Sequence, residues 1–287
     1  MFLWLLDLLL DEKQKMNKLL LILLCLPMIG FGQQTYVPDD NFEQALIDLG
    51  YDSILDNYIT TSNINSITFL DVSNKGISDL TGIEGFTNLE DFGCSFNQIT
   101  YLDVSANVNL DELYAPSNPL LNIDISGAIS LTKLILYDNN LSSIDLSNNT
   151  ALTEIYCQNN NLISLDISSN PDLTHLWCEN NQLMSLDLRN GNNFDLDNLA
   201  IFNNPLLECI DVDNPAWSTA FWTVANFIID PQHYFSNNCS ATSIQEHTTN
   251  KELLKVTDLL GRETKQTNQP LFYIYDDGTV EKRIVIE

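Results

Sequence analysis

Apolar residues recur through the middle of the chain every 21 residues. Leu89, Leu110, Leu131, Leu152 and Leu173 head five successive units. Three positions on stand Phe92, Leu113, Leu134, Ile155 and Leu176, and five on stand Cys94, Ala115, Leu136, Cys157 and Cys178. Eight on, Asn97, Asn118, Asn139, Asn160 and Asn181 never vary. The first half of each unit alternates as a strand does, with two side chains turned into a core. The second half (Leu102-Asp103-Val104-Ser105 and its equivalents) reads as a second short strand or extended stretch. So few residues per coil leave no room for a long helix on the back.

One such unit cannot bury its apolar stripe alone, so copies must stack, each covering the flank of the next. The recurrent asparagine sits where the chain leaves the strand. There its amide can donate to and accept from backbone groups of adjacent turns. The unit LxxLxCxxNxLxxLDxSxN, spelled in full from Leu152 to Asn170, resembles the leucine-rich repeat. The resemblance implies a leucine-rich-repeat solenoid, a β-rich right-handed α/β superhelix with 21-residue repeats.

The flanks predict caps. Asp40 and Glu43 have capping-box spacing, and Phe42, Ala45, Leu46 and Leu49 lie on one helical face that ends at Gly50. That segment resembles the N-terminal cap of secreted Bacteroidetes leucine-rich-repeat proteins. Leu70-Asp71-Val72-Ser73 reads as a half-repeat, and Ile77 through Leu89 resembles the repeats of internalin-type surface proteins. Leu196, Leu199, Ile201 and Asn204 form a last, stretched repeat. An aromatic segment follows with Trp217, Phe221, Trp222, Phe227 and Phe235, ending at Cys239.

The two ends differ from the middle. Residues 1–32 read as a signal peptide whose start is Met1 or Met16: Lys18 precedes the apolar run Leu19 to Phe31, and Gly30-Phe31-Gly32 has the small-x-small form of a cleavage site. The run is too short to span a membrane, which takes about 20 residues. At the other end, apolar runs at 253–256, 271–275 and 280–286, with Asp277-Gly278 between the last two, predict a small antiparallel β module. Its segments DLLGR, FYIY and KRIVI resemble the C-terminal sorting domain of type IX secretion substrates in Bacteroidetes. That resemblance implies passage through type IX secretion machinery to the medium or the outer-membrane surface. The expected organisation is a signal peptide (1–32), helical cap (33–66), repeats (67–206), C-terminal cap (207–240) and sorting module (241–287).

Charge sharpens the picture. The chain of 287 residues carries 39 acidic and 12 basic side chains, a formal net charge of -27. Between Gln33 and Ser240 only Lys75, Lys133 and Arg189 are basic, so the acid belongs to the solenoid. This excludes nucleic acid as a partner, because phosphate contacts need a basic surface. Asp103, Asp124, Asp145, Asp166 and Asp187, extended by Asp71, form a column that either caps turns or holds calcium; solvated, turn-capping carboxylates are the reading preferred here.

Cys94, Cys157 and Cys178 share an inward position with aliphatic residues, which marks them as small buried hydrophobes. Cys209 and Cys239 flank the C-terminal cap and are expected to pair as a disulfide, which export would permit; two free buried thiols are the alternative. No catalytic motif, cofactor site or metal-ligand spacing stands out, so the chain reads as a binding protein rather than an enzyme. The outward columns of the strand half hold Tyr114, Ile135, Tyr156 and Trp177, with Tyr137 beside them. Glu154, His175 and Glu179 lie in the flanking columns. This concave strand face is expected to recognise a protein or a glycan. The same residues also fit ordinary cross-strand packing on a structural spacer or adhesin stalk.

Overall fold

The computed structural model describes residues 32–226 and 228–239, and the backbone of three strands beyond them. The expected signal peptide lies outside the described residues but for Gly32, as do Phe227 and the expected Asp277-Gly278 turn. Among the described residues no helix is long and apolar enough to cross a membrane. The chain divides into two compact units, Met1–Asn237 and Asn238–Glu287.

The first unit is a parallel β-solenoid of about eight coils at a spacing of about 21 residues. Its main sheet has seven parallel strands: β3 (Phe69–Asp71), β4 (Asp91–Gly93), β6 (Glu112–Tyr114), β8 (Lys133–Ile135), β9 (Glu154–Tyr156), β11 (His175–Trp177) and β13 (Asn198–Ala200). Each strand pairs with the next in strict register, so one repeat position forms a straight row across the sheet. The inward row is Leu70, Phe92, Leu113, Leu134, Ile155, Leu176 and Leu199, all buried.

The second half of each coil supplies a weaker face. Strands β5 (Tyr101–Asp103) and β7 (Asn122–Asp124) pair there; β10 (Ser164–Asp166), β12 (Ser185–Asp187), β14 (Cys209–Asp211) and β15 (Tyr234–Ser236) form a second group. Residues 143–145 between the two groups join neither. Gly127 shows how close the coils approach: a Cβ there would lie 1.9 Å from the Ser105 carbonyl oxygen.

Two asparagine columns tie the coils together. Asn160 is typical of the first: its Nδ2 donates to the carbonyls of Leu136 and Cys157 at 2.9 and 3.1 Å, while its Oδ1 accepts from Leu141 N–H at 3.0 Å. Asn97, Asn118, Asn139, Asn181 and Asn204 repeat the pattern. Backbone groups that no sheet ladder reaches are thereby satisfied in the interior. The second column is Asn107, Asn149 and Asn170, with Ala128 in the same place. Its amides only donate, as from Asn149 to Ile125 and Ala128 at 2.9 and 2.8 Å, and their buried Oδ1 atoms have no partner.

The N-terminal cap departs from expectation in its details. Helix α1 (Asp40–Asp48) begins after Asp39, whose Oδ1 accepts from the amides of Asn41 and Phe42 at 2.9 and 3.0 Å. The Asp40–Glu43 capping box therefore does not form. Glu43 is fully buried, and its Oε1 accepts instead from Asp56 and Tyr58 N–H, tying down the loop into β2 (Tyr58–Thr60). Strand β2 pairs antiparallel with β1 (Gln34–Tyr36). Phe42, Ala45 and Leu46 pack inward, but Leu49 is exposed. It is the C-cap; Gly50 follows at φ 83°, its N–H bonding to Ile47 O while Tyr51 N–H reaches Leu46 O. That pair of bonds is the Schellman arrangement, which a left-handed glycine permits.

At the other end, helix α3 (Pro215–Phe221) follows the short helix α2 (Thr61–Ile64) in chain order and carries Trp217. The ring of Trp217 meets Phe194 and Phe221 at 4.9 Å and Trp222 at 5.4 Å, and Trp222 meets Phe235 at 5.7 Å. Cys209 and Cys239 are disulfide-bonded, as expected. Cys94, Cys157 and Cys178 are fully buried thiols.

In the second unit, β16 (Leu253–Thr257), β17 (Pro270–Tyr275) and β18 (Val280–Ile284) form an antiparallel three-stranded sheet. Its register is irregular between Leu253 and Lys255.

Candidate functional site: the outward rows of the seven-stranded sheet

Strand alternation turns every first and third residue of the main sheet outward, and strict register stacks them. One row reads Phe69, Asp91, Glu112, Lys133, Glu154, His175 and Asn198; the other reads Asp71, Gly93, Tyr114, Ile135, Tyr156, Trp177 and Ala200. Neighbours in a row stand about 4.8 Å apart, the strand spacing. Tyr114, Ile135, Tyr156 and Trp177 therefore sit side by side, as their columns imply, and each is half-buried.

The row is internally bonded. Tyr156 and Trp177 meet edge to face with ring centroids 5.3 Å apart, and Trp177 Nε1 donates to Asn198 Oδ1 at 3.4 Å. Tyr156 donates its hydroxyl proton to Glu154 Oε2 at 3.1 Å, and Tyr114 donates to Glu112 Oε2. Glu154 also takes Lys133 Nζ at 3.0 Å. The bond to Lys133 holds the Glu154 carboxyl below its ordinary range, and the same bond raises Lys133. Burial, with the bond to Glu112, pushes the Tyr114 hydroxyl up to about 12. His175 Nδ1 lies 2.8 Å from Thr174 Oγ1.

Tyr137 and Glu179 lie beyond the strand ends, both half-buried. Burial raises the Glu179 carboxyl above its usual range, and its Oε2 is enclosed without a partner. Beneath this row, burial pushes the Cys157 thiol up to about 12 and moves Cys94 and Cys178 in the same direction. These thiols fill space and do not ionise near neutrality.

The aspartate column resolves into turn chemistry. The Oδ1 atoms of Asp103, Asp124, Asp145, Asp166 and Asp187 accept from the backbone N–H two residues on, at 2.8–3.0 Å. Bonds from Ser126 and Ser147 lower the Asp124 and Asp145 carboxyls, and Arg189 lowers Asp187. Among the described residues no group of three His, Cys, Asp or Glu is arranged to hold a metal ion. Asp71 does not extend this column. Its strand belongs to the main sheet, opposite Gly93, although it makes the same turn with Ser73 N–H at 2.9 Å. An Asp-x-Ser turn closes either half of a coil, so the local motif alone misplaces it.

Gly93 leaves a gap in the aromatic row, and Phe69, Asp71, Asp91, Glu112 and Tyr114 surround it. The signal in the sequence is the glycine itself, one coil before Tyr114, Ile135, Tyr156 and Trp177.

The fold is that of a leucine-rich-repeat solenoid. No family model matches the chain. Internalin J of Listeria monocytogenes is 38% identical over 72 residues, 25% of this chain and 8% of that protein. Among solved structures, the functional domain of InlJ from Listeria monocytogenes, described as including a cysteine ladder, is 30% identical with a TM-score of 0.49; the match covers 71% of this chain and 47% of that one. An internalin, inlF, of the same species is 24% identical with a TM-score of 0.47, covering 62% and 56%. The chain thus spans a small part of the curated relative and about half of each solved chain.

Proposed function

We propose that this is a secreted or surface-displayed binding protein that recognises a protein or glycan through the seven-stranded face. The observation that carries this reading is the in-register row Tyr114, Ile135, Tyr156 and Trp177, rimmed by Glu112, Glu154, His175 and Glu179. Aromatic rings with one polar edge suit recognition, because they offer apolar area and a directed donor at low entropic cost. The similarity to internalin J supports a binding or adhesion role in general. A glycan array and a pull-down with the full chain supply the ligand, and the Tyr156→Ala/Trp177→Ala double variant tests the face. Binding unchanged in that variant removes the reading.

A second reading, a spacer or adhesin stalk, draws support from the bonds that close the row on itself. Tyr156, Glu154 and Lys133 satisfy one another without any ligand. An empty pull-down and array, with cell-surface display intact, would favour it.

The C-terminal unit is proposed to be a type IX sorting module of a Bacteroidetes protein. The supporting observation is its antiparallel three-stranded sheet, ending in the basic-aliphatic strand β18. Deleting residues 251–287 should retain the protein inside the cell; normal surface appearance after that deletion refutes the assignment.

A further inference from the structure

The row of large outward side chains gives way to a glycine next to Tyr114. Gly93 stands where the next coils carry Tyr114, Ile135, Tyr156 and Trp177. Its missing side chain opens a cavity of about 350 Å³ on the sheet surface. A Cβ on Gly93 would lie 3.0 Å from Asp71 Oδ1, so the glycine floor brings that carboxylate to the edge of the space. Phe69, 63% exposed, forms one wall, and Tyr114 forms the opposite one.

The polar lining is one-sided. Asp71, Asp91 and Glu112 contribute carboxylates, and no basic side chain lines the cavity. Lys133, next to Glu112 on the row, is bonded to Glu154. Burial raises the Asp91 carboxyl above its ordinary range, and the charges of Glu112, Asp111 and Glu90 add to the effect. Glu112 accepts the Tyr114 hydroxyl and Asp71 the Ser73 amide, yet three carboxylates still face one space with no cation in its lining, a repulsion that an incoming cation offsets and a neutral sugar does not.

Phe96 directly follows Ser95, which lines the cavity, and has φ 55°. Ser117, Asp138, Asn159 and Asn180 take this left-handed position in later coils. Polar residues tolerate it, whereas a bulky one is strained there. Phe96 is also 61% exposed. Strain and solvent-facing apolar area thus coincide one residue along the chain from the lining Ser95.

We infer that the Gly93 cavity receives a basic side chain, arginine or lysine, of a protein partner. This inference rests on the strand-face reading and deepens it by choosing a protein ligand over a glycan. Phe69 and Tyr114 cover the aliphatic stem, and the three carboxylates take the charged head group. The strongly acidic solenoid favours encounter with a basic partner surface.

A fluorescein-labelled Gly/Ser hexapeptide with two arginines, and its citrulline counterpart of equal size without the charge, separate the outcomes. Fluorescence polarisation with the full chain should show the citrulline peptide binding at least tenfold more weakly. The Asp91→Asn/Glu112→Gln variant should lose at least tenfold for the arginine peptide. Phe69→Ala, a change at an exposed site that leaves the core intact, should lose at least threefold. Ile163→Ala, an exposed change outside the seven-stranded face, should stay within twofold. Equal affinity for both peptides, no binding of the arginine peptide, or no effect of the carboxylate variant overturns the inference. If a partner found by pull-down is still lost in the Tyr156/Trp177 variant, the strand-face reading survives that failure.

Discussion

Asp39 and Ser78 are joined twice: one carboxylate oxygen of Asp39 accepts from the Ser78 amide at 2.9 Å and from its hydroxyl at 2.8 Å. The other oxygen caps helix α1. One side chain thus fastens the helical cap to the first coil.

Asp39→Ala should destabilise the first unit by about 1–2 kcal/mol, the upper range for a lost N-cap, because the bonds to Ser78 go with it. Chemical denaturation of the full chain checks this value. Burial opposes the charge of Asp39, but bonds from Ser78, Phe42 and Asp79 outweigh it and lower its pKa. A lowered carboxylate stabilises fully above its unfolded value of about 4, and loses that contribution as pH falls through the lower folded value. The stability gap between the native chain and Asp39→Asn should therefore shrink as the pH falls through about 4 and below.

The two asparagine columns should differ in cost. Asn160→Ala leaves the buried Leu141 N–H without its acceptor, worth about 1–3 kcal/mol, while the Leu136 and Cys157 carbonyls keep the amides of Asn139 and Asn181. Asn149→Ala strands neither of its partners, because the Ile125 and Ala128 carbonyls still accept from the Ala128 and Leu131 amides, and Ala128 already occupies the equivalent place one coil earlier. Urea midpoints should fall further for Asn160→Ala. A larger loss for Asn149→Ala would overturn this account of the ladders.

The three solenoid thiols should resist modification in the folded protein. Cys94, Cys157 and Cys178 are fully buried and shifted away from thiolate formation. A thiol reagent at pH 8 should label none of them until denaturant is added. Cys157→Ala should cost about 1 kcal/mol, and Cys157→Ser more, because its hydroxyl would be buried in an apolar core.

The Cys209–Cys239 disulfide encloses a loop of about thirty residues, which the chain-entropy model values at about 3 kcal/mol. Reduction, or the double change to serine, should lower the melting temperature of the first unit. Hydrogen exchange should show the loss concentrated around β14, α3 and β15. An unchanged melting temperature would mean that the aromatic packing of Trp217 and Trp222 suffices to close that end.

Read along the chain, the repeat alone determines the solenoid. Stacked coils meet nearly the same neighbours at each inward position, so Leu113, Leu134 and Ile155, or Asn118, Asn139 and Asn160, must recur at equal spacing. Outward residues and end caps meet neighbours that do not repeat, and period carries no information about them. Two adjacent aspartates could start α1; the reach of Asp39 to Ser78 in the first coil selects it. Asp71 carries the same Asp-x-Ser signature as Asp103, and only pairing with β4 places it on the main sheet. Gly93 reads as a gap in a column until Phe69, Asp71 and Glu112 close around it. Periodicity specified the scaffold because stacking is a nearest-neighbour interaction repeated in kind; contacts between unlike coils decided the surface.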